Sequence, residues 1–231
     1  MKKEIYETED VMTCECLHKN AMMWLMGTSG MRVADLCQLD YFDFLSSIAD
    51  YFQGSSTSPF RINKIYEQIR SRDDIIGTWE LYNKKTGAPY VTFSTPKTIH
   101  AIMDSLYLRK GSRQIDQNEP LFVGLNGKRI TPEEVTANIT NFGDQVGLDI
   151  KPQHLRELFV DRLTSAGIPN EIIKLFLGHK IIPSTISYVA CHREALISDY
   201  KKAFISSAPE EVVLKVPIEQ YKYFLDEMRI G

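Results

Sequence analysis

Residues 150–190 read IKPQHLRELFVDRLTSAGIPNEIIKLFLGHKIIPSTISYVA, and the reading of this stretch decides the fold. Apolar residues recur at helical spacing from His154 to Ala166 and again from Asn170 to Leu177, which predicts two consecutive helices. Gly167 and Gly178 stand directly after them, where a left-handed residue ends a helix cheaply. The stretch therefore places Gln153, His154 and Arg156 at the start of one helix, His179 just past the end of the next, and Tyr188 nine residues beyond that.

Working upstream, LHKNAMMWLM (17–26) is apolar enough for a buried helix, which Gly27, Ser29 and Gly30 are expected to break. MRVADLCQL (31–39) follows as a short helix, with Met31, Ala34, Leu36 and Leu39 toward the core and Arg32 at its beginning. The helix dipole does not favour an arginine there, so an anionic partner explains it better than propensity does. INKIYEQI (62–69) has helical spacing. Trp79–Tyr82 and Pro89–Phe93 read as two strands around Lys84-Lys85-Thr86-Gly87, a hairpin with two lysines at its turn. Pro96 opens a helix to about Leu108, striped by Ile99, Ile102, Met103 and Leu106. PLFVG (120–124) reads as a short buried strand, and Thr131-Pro132 with Glu134 as the start of another helix. A last helix is expected over Arg193–Phe204, followed by a linker at Ser206–Pro209 and a strand-then-helix tail. The fold class is thus mainly α with a small antiparallel β-sheet.

The chain has 231 residues, of which 43% are hydrophobic, enough for one sizeable core with appendages. Its four cysteines, Cys14, Cys16, Cys37 and Cys191, form no CxxC pair, so neither a structural zinc site nor a thioredoxin-like centre is expected. The N-terminus turns acidic where a secretory signal turns apolar, and no run approaches the ~20 apolar residues of a membrane span. A soluble protein of a reducing, cytoplasmic compartment is expected, with no membrane partner.

The net charge of −3 conceals a partition. Residues 1–60 carry −5, residues 61–113 carry +5, residues 114–150 carry −4, and residues 151–205 carry +3. Two basic segments alternating with acidic ones suit a folded surface that faces a polyanion. KTG at Lys85–Gly87 is not a phosphate-binding P-loop, because the upstream glycines and the G-K-[ST] order are absent.

Together these features resemble the catalytic domain of the tyrosine recombinase (phage integrase) family, over roughly residues 12–205. TSGMRVADLCQL is similar to the segment that carries the family's first arginine, at Arg32. The hairpin's Lys85 matches the β-hairpin lysine, and the opening stretch follows the H-x-L-R, LGH and T-x-x-Y run in order and spacing, with Arg156, His179 and Tyr188 on its functional positions. Gln153 stands where the family usually has histidine, and its amide cannot take a proton near neutral pH. His154 and Glu157 flank the same position.

The resemblance implies a DNA breaking-rejoining enzyme. Tyr188 would attack a backbone phosphate to form a 3'-phosphotyrosyl link as a 5'-hydroxyl leaves. Arg32 and Arg156 would hold the nonbridging oxygens, His179 would hydrogen-bond the phosphate, and Lys85 would protonate the leaving oxygen. Neither metal nor cofactor is required, because the covalent bond conserves the phosphodiester's energy. The partner would be double-stranded DNA, with a homo-tetramer on DNA and a monomer as the alternative without it. Mobile-element or viral integration is the setting the family implies.

Charge clustering adds Arg61, Lys64, Arg70, Arg72, Lys174 and Lys180, along with His154, as DNA contacts. The domain division expected is a catalytic unit over 1–205, an insertion near 45–73, and a tail at 206–231 that packs in trans or in cis. The family's usual N-terminal DNA clamp has almost no room in this chain. Alternative readings are a DNA-binding relative with weak catalysis because of Gln153, a type IB topoisomerase-like nicking-religating enzyme, and a non-enzymatic helical interaction protein.

Overall fold

The computed structural model describes residues 17–51, 62–83, 87–110, 115–145, 147–179 and 192–206. The elements in order are α1 (17–29), α2 (Val33–Leu36), α3 (Tyr41–Ser47), α4 (Ile62–Ile69), β1 (Gly77–Asn83), β2 (Ala88–Ser94), α5 (Pro96–Lys110), α6 (Pro132–Gln145), α7 (Pro152–Ser165), α8 (Asn170–Phe176) and α9 (Arg193–Lys201), which a π-helical turn extends to Ser206. Among the described residues, helices surround one two-stranded antiparallel sheet, the expected class.

Short-range signals act where the sequence places them. Thr131 and Glu134 cap α6 reciprocally: Glu134 N–H donates to Thr131 Oγ1 (3.2 Å) and Thr131 N–H to Glu134 Oε2 (2.8 Å). Gly167 (φ +72°) and Gly178 (φ +62°) end α7 and α8. At both ends the next N–H reaches back five residues, Ile168 to Leu163 O and His179 to Lys174 O, each at 3.0 Å, the pattern of a Schellman cap.

The hairpin separates two cores. Val91 and Phe93 face a cluster built with Phe159, Leu163, Phe176 and Leu196 from α7, α8 and α9. Trp79, on the opposite face, joins α1, α3, α5 and α6 in the larger cluster. Register pairs Trp79 with Thr92 and Leu81 with Tyr90, so these four and Asn83 share one side of the sheet.

Three expectations change. The first helix passes through Gly27 and ends at Gly30 (φ +61°), whose N–H still donates to Met26 O (2.9 Å), while Thr28 and Ser29 turn their hydroxyls back to Trp24 O (2.7 Å) and Leu25 O (2.6 Å). The second helix is only four residues long, and Arg129 Nη1 takes Cys37 O and Leu39 O, each at 3.1 Å, just past its end. Arg32 is its N-cap residue, and Ala34, expected in the core, is exposed.

The third change concerns PLFVG, which forms no strand. Pro120 and Val123 make isolated bridges, Leu121 N–H donates to Leu39 O (2.8 Å), Ile130 N–H donates to Phe122 O (3.1 Å), and side chains take other groups of the segment. Arg109 Nη1 donates to Pro120 O (3.0 Å) and Leu121 O (2.8 Å), and Val123 N–H donates to His18 Nε2 (3.0 Å).

His18 Nε2 must be unprotonated to accept that bond, which leaves Nδ1 as the donor to Ser105 Oγ (3.0 Å). Burial, followed by the charge of Arg109, lowers its pKa to about 4. The unfolded chain takes up this proton near pH 6.5 and the folded chain does not, so stability is level above about 6.5 and falls as pH drops from there toward 4. The expected loss over that window reaches about 3 kcal/mol. Urea midpoints measured against pH check it, and His18→Gln should flatten the slope; an unchanged slope in that variant would exclude His18 as the cause.

Candidate active site

Three successive carbonyls at the end of α1 each accept a hydrogen bond from a distant element. Tyr200 Oη on α9 donates to Thr28 O (2.8 Å), Thr92 Oγ1 on β2 donates to Ser29 O (2.6 Å), and Arg156 Nη1 on α7 donates to Gly30 O. These carbonyls belong to a helix end that lacks backbone partners of its own. Gly30 also lies against the Phe159 ring, where a Cβ would come within 2.3 Å of it. The turn that delivers Arg32 is therefore fixed by β2, α7 and α9 together.

Arg156 uses its second terminal nitrogen, Nη2, on Leu177 O (2.8 Å), so one guanidinium joins the α1 turn to the LGH turn. Burial, and then repulsion from Arg32, lower its pKa to about 10, leaving it charged at neutral pH. His179 lies at the same place: its pKa is lowered by burial and by the charges of Arg156, Arg32 and Lys174, in that order. The structure thus brings Arg32, Arg156 and His179 into one electropositive site. Arg32 Nη1 is buried with no hydrogen-bond acceptor among the described residues. An unsatisfied cationic donor beside a second guanidinium and an imidazole can bind a tetrahedral oxyanion.

The hairpin frames the site from one side. Asn83 Nδ2 donates to Gly178 O (2.6 Å), which pins the end of β1 to the turn that carries His179. Tyr90, 6% exposed, lies under Gly178, where an added Cβ would come within 2.7 Å of its ring. Its hydroxyl donates to Asp35 Oδ2 (2.6 Å), and the same oxygen stands 3.7 Å from Arg32 Nη1. Burial and Asp35 push the Tyr90 phenol far above its ordinary range, so it remains protonated.

The other sequence candidates divide. Lys85 and Tyr188 lie outside the described residues, as do Arg61 and Lys180. Lys85 falls in the gap between Asn83 and Gly87, and Tyr188 in the one between His179 and His192. Gln153 is exposed and donates its amide to Glu157 Oε1 (2.6 Å). His154 caps its own helix, with Nδ1 accepting from Lys151 N–H (3.3 Å). Lys174 is exposed on α8 and contributes to the field at His179.

Lys64 is exposed on α4, which packs against α5, and Arg70 is exposed just past its end, with its guanidinium over the Tyr66 ring. Arg72 is engaged by Asp74 (2.9 and 2.7 Å) and Tyr51 O (3.3 Å). The sequence reading missed Asp35 and Tyr90. Asp35 carries a local signal, three residues after Arg32 on a helical turn, whereas Tyr90 looks like any aromatic strand residue.

A mainly helical fold with an antiparallel hairpin carries this site, the architecture of the tyrosine-recombinase catalytic domain. The sequence model of the phage integrase family matches residues 60–194, and the chain belongs to this family, the tyrosine recombinases. The matched span includes Lys85, Arg156, His179 and Tyr188 and begins downstream of Arg32.

Among curated relatives, the chain is 24% identical over 190 residues to tyrosine recombinase XerC of Corynebacterium glutamicum, a match covering 82% of this chain and 52% of the relative. It is 28% identical over 94 residues to tyrosine recombinase XerD of Bifidobacterium longum, covering 40% of this chain and 30% of that one. The chain thus spans about half, or less, of the length of these relatives. Among solved structures, the XerA recombinase superposes over 83% of this chain and 60% of its own, with a TM-score of 0.50 and 18% identity, a likeness of fold. Among the described residues no helix is long and apolar enough to cross a membrane.

Proposed function

We propose that this chain is the catalytic portion of a site-specific recombinase that cleaves and rejoins DNA through a 3'-phosphotyrosyl intermediate. The observation that carries the proposal is the buried Arg32 Nη1, without an acceptor among the described residues, in a site shared with Arg156 and His179. Two permanently charged forks fit the nonbridging oxygens of a phosphodiester, where negative charge is redistributed in the transition state. His179, disfavoured as a cation by its neighbours, is a hydrogen-bonding group that gains from the phosphate's charge. Tyr188 is the nucleophile of this reading, and Lys85 donates the proton to the departing 5'-oxygen.

Double-stranded DNA is the substrate, and strand exchange takes four protomers around two duplexes. The catalytic unit runs over 1–205 with an insertion near 45–73, and the tail at 206–231 packs against a neighbour or its own chain. A second reading, a DNA-binding relative with weak catalysis, gains support from Gln153, which spends its amide on Glu157 and supplies no general base.

Covalent trapping separates the two. Nicked or phosphorothiolate-bearing duplexes should yield a protein–DNA band on a denaturing gel, and Tyr188→Phe should abolish it. DNA that binds the chain without yielding the band would favour the weakly catalytic relative.

A further inference from the structure

Asp35 lies where it could disable the site. A carboxylate three residues after Arg32 on a helical turn ordinarily closes on the guanidinium as an ion pair. Here the nearest approach is 3.7 Å, from Arg32 Nη1 to Asp35 Oδ2, too long for a hydrogen bond, and Nη1 has no acceptor among the described residues. The Asp35 carboxylate is held instead by the Tyr90 hydroxyl, 2.6 Å from the same oxygen, which fixes its position short of Arg32. Tyr90 has no freedom to leave: it is 6% exposed, paired across the hairpin with Leu81, and held under Gly178.

We infer that Tyr90 is a positioning residue that holds the Asp35 carboxylate short of Arg32 Nη1 and thereby leaves that donor to be taken by a phosphate oxygen. This rests on the reading of Arg32 and Arg156 as the phosphate-binding pair. Asp35 then tempers the mutual repulsion of the two arginines without quenching either, because its charge stays in the site while its facing oxygen is engaged. Tyr90 is no second nucleophile, since its proton is committed to Asp35 and the phenol is held neutral.

The test is a double-mutant cycle over Tyr90 and Asp35, read by titration of inorganic phosphate against the arginine side-chain 15N resonances. Tyr90→Phe is expected to weaken phosphate binding about tenfold, as Asp35 closes on Arg32. In an Asp35→Asn background, where no carboxylate is present to close, the same change should alter affinity less than twofold. Phosphate affinity in Tyr90→Phe within twofold of the parent would overturn the inference. So would a tenfold loss that persists beside Asn at 35, which would reduce Tyr90 to a packing surface under Gly178. A structure of phosphate-free Tyr90→Phe should show Arg32 Nη1 within hydrogen-bond reach of Asp35, and an unchanged separation would also overturn it. Phosphate binding that obeys the cycle, with no covalent DNA band, would defeat the recombinase reading and leave this inference intact. A covalent band with phosphate affinity indifferent to Tyr90 would do the reverse.

Discussion

Arg156→Lys should slow covalent-complex formation by about 10²–10³-fold at saturating DNA, on the scale of losing one preorganised charged donor to a transition state. The substitution conserves charge, so the expected loss comes from geometry. Arg156 reaches Gly30 O with Nη1 and Leu177 O with Nη2, and this two-armed grip fixes the guanidinium plane beside Arg32. An ammonium is a point donor on a flexible stem and cannot hold both carbonyls while also presenting a fork to a phosphate. One carbonyl left unpaired in a buried place costs about 1–3 kcal/mol of stability, which urea unfolding would register beside the kinetic loss. DNA affinity, carried by many phosphate contacts, should fall only a few-fold in a gel-shift titration. A single-turnover cleavage rate within threefold of the parent would show that the fork is dispensable.

Gly30→Ala should destabilise the fold by on the order of 3 kcal/mol, combining left-handed backbone strain with overpacking. Gly30 has φ +61° and its absent Cβ would lie 2.3 Å from Phe159 Cδ1. Phe159 is fully buried and stacks on Phe204 at 5.5 Å between ring centroids, so the ring has little room to yield. Gly127→Ala provides the internal standard: its φ of +72° is equally left-handed, yet a Cβ there meets nothing within 4 Å. That variant should lose only the backbone component, about 1 kcal/mol. Equal urea midpoints for the two variants would mean that Phe159 moves aside at no cost and that the turn is looser than its hydrogen bonds suggest.

The two glycines also show what a sequence discloses and what it conceals. Gly167 and Gly178 could be read as helix ends because a C-cap is a local arrangement that one residue type favours over a few positions. The reciprocal cap of Thr131 and Glu134 and the alternation around the lysine turn were legible for the same reason. Arg156 and His179 could be placed beside each other from their motif, whereas the reason for their proximity, a guanidinium shared between Gly30 O and Leu177 O, spans 126 and 21 positions.

The failures have the same origin. PLFVG has strand composition, but Arg109 and His18 reach across the fold and take the backbone groups a partner strand would have used. Where the sequence suggested that the helix after Arg32 would continue, Arg129, some 90 positions on, takes Cys37 O and Leu39 O just past its end at Leu36. Tyr90 has no local signature, since what distinguishes it is a carboxylate 55 residues upstream.

The clamp on the α1 turn also has a consequence in time. Its three donors enter the chain at Thr92, Arg156 and Tyr200, the last 172 positions after the carbonyl it bonds. A ribosome extends a chain at about 5–20 residues per second, so Arg32 is exposed in the nascent protein for on the order of ten seconds or more before Tyr200 exists. Until then the clamp lacks its last bond, and the site matures only when the distal helix docks. A chain cut short before α9 would carry both arginines and His179 with the turn held by Thr92 and Arg156 but without the bond from Tyr200.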